Sequence, residues 1–226
     1  MATTGSARQG FTVRRISDTL GEMDPHLLST ADDFLVAEKP AGLLCVPGRG
    51  PEKRDSLLSR LQARFPDVLL VHRLDMDTSG IVLFARTPPA QRELSRQFAE
   101  RTTEKIYEAV VEGIPETDAG SVEFPLRKDL AQRLPPKHLV DCVRGKPALT
   151  RWRVLERFAG GARLELRPET GRSHQLRVHL AAIGHPIAGD PIYGTPGKRL
   201  MLHARALAFR HPRTAETIRV ESPVPF

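Results

Sequence analysis

Two short stretches concentrate side chains able to do chemistry. The first is Val71-His72-Arg73-Leu74-Asp75-Met76-Asp77-Thr78-Ser79-Gly80. It sets a carboxylate beside an arginine and a histidine, just before a polar turn and an apolar run, Ile81-Val82-Leu83-Phe84-Ala85. A carboxylate wedged against apolar sequence must be paired, because an unpaired buried charge destabilises a fold. Held near cations, Asp75 stays ionised, the state that suits a nucleophile or a general base. The second stretch is Thr170-Gly171-Arg172-Ser173-His174-Gln175-Leu176-Arg177-Val178-His179, at what reads as a helix start. Helix N-termini favour anions, and an arginine can engage a carboxylate through two parallel hydrogen bonds. His174 and Arg177 would share a helix face. Taken alone, this stretch also reads as a solvated basic helix end.

Other chemistries fit the same residues less well. Asp75 to Gly80 has the oxygens and the glycine of a calcium loop's first half, but the twelfth position, where a bidentate glutamate belongs, is Arg86. An aspartate-nucleophile phosphatase wants D-x-D-x-[TV] after an unbroken apolar strand. Here Ser79 takes the last place and His72-Arg73 interrupt the strand. His174, His179 and His185 are five and six apart, which does not suit zinc on one helix face. Cys45 and Cys142 form no C-x-x-C pair. A purely RNA-binding module is the other class, but the aromatic-rich motif of an RRM is missing. No metal is expected.

The elements that must position these residues can be read from pattern. Phe34-Leu35-Val36-Ala37 is a short strand ended by the Pro40 and Gly42 turn. Asp55 is the candidate cap of a helix to Phe65, with Leu57, Leu58, Leu61 and Phe65 on one face. After strand 81–85, Pro88 and Pro89 suit a first helical turn, and the helix runs to about Glu100. Ile106 to Val111 is β-favouring, and residues 114–147 read as strands mixed with long loops. Gly160-Gly161 joins a hairpin. Ser173 is the candidate cap of a helix that buries Leu176, Leu180 and Ile183 and ends near Gly184, and Leu200 to Phe209 is a last strand. Strands come in hairpins rather than βαβ alternation, so the expected class is α+β with a largely antiparallel sheet.

Charge adds a partner class. The formal net charge of +7 is distributed unevenly: residues 1–150 hold 21 basic and 21 acidic side chains, residues 151–226 hold 13 and 6. Such asymmetry is the footprint of a polyanion binder, or of a basic solvated surface. Arg163, Arg167 and Arg172 are the candidate phosphate contacts. No run approaches the ~18 apolar residues of a membrane span. Met1 to Gly10 lack the apolar core of a signal peptide and read as a disordered start. Sparse cysteine fits a reducing cytoplasm.

The first stretch resembles the HRLDxxTSG motif of the RluA branch of pseudouridine synthases, and the second resembles its GRxHQxRxH motif. Lys39-Pro40-Ala41-Gly42-Leu43, Gly184 to Asp190, and Leu202-His203-Ala204 resemble further landmarks, so the likeness spans roughly residues 30–226. It implies isomerisation of uridine to pseudouridine in RNA. The N-glycosidic bond breaks, the base rotates, and C5 bonds to C1′, with no net redox or hydrolysis and hence no cofactor. By resemblance Asp75 is the catalytic nucleophile and Arg177 pairs with it. Tyr107 stacks on the target base and could assist proton removal from C5. Arg73 fills the space that the flipped base leaves. Whether Asp75 attacks C1′, attacks the base or removes a ribose proton stays open. Implied substrates are large-subunit ribosomal RNA, a transfer-RNA anticodon stem-loop, or both, the last suggested by Leu44 to Arg49. The implied fold is one catalytic domain over 11–226, a large bifurcated, mainly antiparallel sheet flanked by helices, too short to add an S4 domain. A cytoplasmic monomer without an obligate protein partner is expected.

Overall fold

Hairpin after hairpin, the alternation in the sequence becomes sheet. The computed structural model describes residues 25–132 and 135–226, so the expected disordered start at residues 1–10 lies outside the described residues. In chain order come β1 (His26–Thr30), β2 (Phe34–Lys39), α1 (Leu57–Arg64), β3 (Leu69–Leu70), β4 (Ser79–Ala85) and α2 (Pro88–Ala99). Then follow β5 (Glu104–Glu112), β6 (Ala119–Val122), β7 (Leu126–Lys128), β8 (His138–Val140), β9 (Thr150–Phe158) and β10 (Gly161–Pro168). Last are α3 (Gln175–Ala182), β11 (Leu202–Arg210) and β12 (Thr217–Glu221).

Ten of these strands form one sheet in the order β1-β2-β4-β11-β5-β10-β9-β6. It forks twice, because β12 also pairs with β11 and β3 with β4. β7 and β8 form a separate hairpin. Every pairing is antiparallel except β4 with β11. The expected α+β class and bifurcated sheet are both found.

Strand period places the helices. In β4, Val82 and Phe84 face α1, packing with Leu57 and Leu61. Ile81, Leu83 and Ala85 face α2, packing with Ala90 and Leu94. Because both faces of β4 are covered, the strand is an unbroken apolar run from Ile81 to Ala85. Leu176 and Leu180 of α3 pack on Ala109, Leu164 and Leu166 of β5 and β10. α1 is capped by Ser56, whose hydroxyl accepts from Ser59 N–H in a capping box, and not by Asp55, which instead grips Arg60 at 2.7 Å.

The parallel seam is short: Ser79 faces His203 and Gly80 faces Ala204. Buried His203 spans it, its Nδ1 2.9 Å from Ser79 Oγ and its Nε2 3.0 Å from Ser222 Oγ. Gly80 has φ 114°, and a Cβ there would lie 2.4 Å from the Ala204 carbonyl oxygen. Gly80→Ala is therefore expected to spread the seam. The clash and the left-handed backbone together should cost at least ~3 kcal/mol, a fall in Tm on the order of 10 °C that thermal denaturation would read.

Candidate active site

Asp75 sits on a loop pinned on both sides. Before it, Leu74 is buried and its N–H donates to Cys45 Sγ at 3.2 Å. After it, the Met76 carbonyl accepts from Lys39 Nζ at 2.6 Å and from Gly42 N–H at 3.0 Å. Lys39 is fully buried and also donates to the Pro40 and Leu43 carbonyls, each at 2.7 Å. Burial pulls its pKa down to about 8, against the pull of Cys45, Asp77 and Asp75. Three carbonyl acceptors need three N–H donors, which only the ammonium supplies. The Lys-Pro-Ala-Gly-Leu turn thus acts as a clamp on the Asp75 loop, a role that composition could not show.

Arg177 reaches the same place from α3 and is 2% exposed. Its tight partner is Asp190, through Nε to Oδ2 at 2.7 Å and Nη2 to Oδ1 at 2.6 Å. Its remaining edge, Nη1, lies 3.9 Å from Asp75 Oδ2. The resemblance implied that Arg177 pairs with Asp75; its closer partner in the structure is Asp190, with Asp75 at the edge of ion-pair distance. A guanidinium carries five donors, so one fork satisfies a buried carboxylate while the other edge faces a second one. Asp190 also accepts from the N–H groups of Ile192 and Tyr193. Burial alone would raise the Asp190 pKa, but Arg177 and those amides hold it below the usual carboxylate range. Asp75, by contrast, keeps 23% of its side chain open.

α3 starts differently from its sequence pattern. Its N-cap is His174, in the left-handed conformation at φ 55°, with no side-chain cap bond, rather than Ser173. Tertiary contacts fix it there. Tyr193 Oη lies 2.9 Å from His174 Nδ1 and accepts from His138 N–H at 2.8 Å. The Tyr193 hydroxyl thus bridges the His174 ring and the His138 backbone. Burial keeps His174 below its ordinary pKa. The Tyr193 ring also lies 5.2 Å from the Arg177 guanidinium. Asp190 and Tyr193 were missed in the sequence. The only signal for Asp190 was the likeness of Gly184 to Asp190, which assigned it no role, and Tyr193 lies beyond that segment.

Between these walls lies a cleft of about 500 Å³, in the range of small-molecule sites. Asp75, Arg73, Tyr107 and Arg177 all line it. Burial first, and the Asp75 charge second, push the Tyr107 hydroxyl well above its ordinary pKa, so it stays protonated. His72 accepts from Leu83 N–H through Nε2 at 3.0 Å and stacks on Phe98 with centroids 4.3 Å apart. Burial, with Lys105 nearby, drives its pKa down to about 3, so it is neutral.

The basic side chains of the last third do not form one unpaired patch. Arg163 and Arg167 lie on the face of β10 opposite the side chains packed by α3. Arg167 bonds Glu165 and Glu104, and Arg163 pairs with Glu108 at 3.6 Å. Arg153 joins Glu165 at 2.9 and 3.0 Å. Of the three expected phosphate contacts, only Arg172 lines the cleft. Cross-strand carboxylates account for the rest, and a charge sum cannot see pairing. Among the described residues no cluster of three or more His, Cys, Asp or Glu could hold a metal, and no helix is long and apolar enough to cross a membrane.

A family model described as RNA pseudouridylate synthase matches residues 33–182, a span that contains Asp75, Tyr107 and Arg177. The chain belongs to that family. This synthase is similar to the dual-specificity RNA pseudouridine synthase RluA of Pasteurella multocida, 47% identical over 211 residues that cover 90% of this chain and 95% of that one. To the protein of the same name from Escherichia coli strain K12 it is 46% identical, over 88% of this chain and 93% of that one. Among solved structures, human RNA pseudouridylate synthase domain containing 1 superposes with a TM-score of 0.76 at 31% identity, covering 90% of this chain and 85% of that one. The synthase is accordingly an isomerase acting on RNA, as the two motifs implied.

Proposed function

We propose that this synthase draws a uridine into the cleft and converts it to pseudouridine with Asp75 as the nucleophile, in both large-subunit ribosomal RNA and a transfer-RNA anticodon stem-loop. The observation that carries the reading is the partly exposed Asp75 carboxylate, 3.9 Å from an Arg177 already locked to Asp190. A cation so fixed cannot swing away, so Asp75 keeps its counter-charge while one edge of the carboxylate stays free for the nucleotide. The pinned backbone at Leu74 and Met76 limits how far that carboxylate can move.

Tyr107 offers a ring face to an extruded base, and Arg73, exposed at the mouth of the cleft, is placed to occupy the gap in the RNA. Because the Tyr107 hydroxyl stays protonated, it serves as a donor or a proton relay rather than as the resting base at C5. Attack at C1′ and removal of a ribose proton both call on the same carboxylate. Dual specificity is supported by likeness along nearly the full length of relatives that carry that description. The domain is read as extending from residue 11 and as acting alone.

The test is direct. Purified protein is incubated with a ribosomal RNA fragment and, separately, with anticodon stem-loops, each labelled with 5-³H-uridine. Tritium release and a mapped pseudouridine in both RNAs are expected. Release from only one would remove the dual assignment, and release from neither would remove the reading.

A further inference from the structure

Arginines on the outer sheet face have carboxylate partners; the cations at one end of the cleft have none. Arg101 stands at the corner between α2 and β5, and Lys105 lies one turn of strand further on, both lining the cleft. Neither side chain makes an ion pair or a hydrogen bond with any described residue. The adjacent carboxylates are committed elsewhere: Glu100 to Arg96, Glu104 to Arg167 and Arg219, and Glu169 to Arg151.

The two cations are also held where holding them is unfavourable. Arg101 has φ 60°, in the left-handed region, which for a long side chain costs on the order of 1 kcal/mol or more. Lys105 is half-buried, and burial first and Arg101 second lower its pKa. The stacked His72 and Phe98 rings, which carry no charge of their own, line the same cleft. An arrangement that strains and repels in the free protein is relieved by an anion of high charge density arriving from the cleft.

We infer that Arg101 and Lys105 form a seat for a backbone phosphate of the RNA strand next to the nucleotide that enters the cleft. This rests on the RNA reading given above. Arg172, which also lines the cleft and is likewise outside any ion pair among the described residues, would add a further contact to the strand. The seat supplies affinity and register rather than chemistry, because phosphate contacts position a strand without reading its bases.

The experiment compares the wild type with Arg101→Gln/Lys105→Gln and, as a control, Arg163→Gln on the outer face. Binding of an anticodon stem-loop is measured from low to moderate KCl, together with the single-turnover rate at saturating enzyme. Loss of one phosphate contact should flatten the log–log salt slope by about 0.7–0.9. The double variant should bind roughly tenfold more weakly at low salt, about 1.4 kcal/mol, with a smaller fall in single-turnover rate. Arg163→Gln should keep the wild-type slope. Arg101→Gly, which relaxes the left-handed backbone, should be at least as stable as the wild type and still bind weakly, so a folding defect cannot imitate the result. An unchanged slope and Kd in the double variant would overturn the seat, as would a fall in saturated rate at unchanged Kd. If the wild type itself neither binds nor modifies the stem-loop, it is the RNA reading that fails.

Discussion

Asp75→Asn is expected to abolish turnover, by ~10⁴-fold or more, as loss of a nucleophile does in other enzymes. The amide has the same shape and no charge, so it can neither attack nor accept a proton. Stability should barely move. The buried Arg177 guanidinium stays neutralised by Asp190 at 2.6 and 2.7 Å and loses only a partner at 3.9 Å. Thermal denaturation and stem-loop binding should therefore match the wild type while tritium release disappears. Near-normal release would sink the assignment of Asp75. A large fall in Tm would show instead that Asp75 is part of the fold's charge balance.

Arg177→Met should behave in the opposite way. It leaves Asp190, 0% exposed, with two backbone amides and no counter-ion, a loss of ~3–5 kcal/mol. The destabilisation comes from Asp190, not from Asp75, so Arg177→Met/Asp190→Leu, which removes both buried charges, should recover much of it. Activity should not return, because Asp75 still lacks its cation. Recovery of both would make Arg177 a structural arginine only. The pair also fixes an acid limit. The Asp190 pKa is depressed in the fold, so its contribution is fully present above the unfolded value of about 3.9 and is lost as pH falls through the folded value. In urea titrations between pH 6 and 3, Asp190→Asn should flatten that acid loss.

Much of this was legible in the chain because chemistry and pattern coincide in short windows. The carboxylate, arginine and histidine of the first motif lie within four positions, and the hairpin around Gly160-Gly161 announces itself by composition. What escaped was whatever depends on distant side chains meeting. Asp190 could not be matched to Arg177 by spacing, since it lies in the connection between α3 and β11, where no regular period fixes its place. Lys39 belonged to a recognised turn, yet its work is done on the carbonyl of Met76. The same limit explains Arg163 and Arg167, whose charges are cancelled by Glu108, Glu165 and Glu104 from other positions of the sheet. His174 shows tertiary contact overriding a local cap signal: Ser173 was the better capping residue, but Tyr193 holds the histidine in place.

The seam between β4 and β11 also sets a clock. Residues 79 and 80 meet 203 and 204, and Asp75 is made about a hundred residues before Arg177. On a ribosome adding ~5–20 residues per second, the carboxylate waits ~5–20 s for its arginine, and longer for the strand that closes the sheet. During that interval the Ser79-Gly80 end of β4 lacks the partner that β11 will bring, and only Phe84 and Ala85 on that edge are paired, by β3, so an open edge of the kind that invites aggregation is left beside the apolar run. Nascent chains are thus catalytically silent and need shelter until their last quarter emerges. A polypeptide cut before residue 202 should be both inert and insoluble, however complete its first motif.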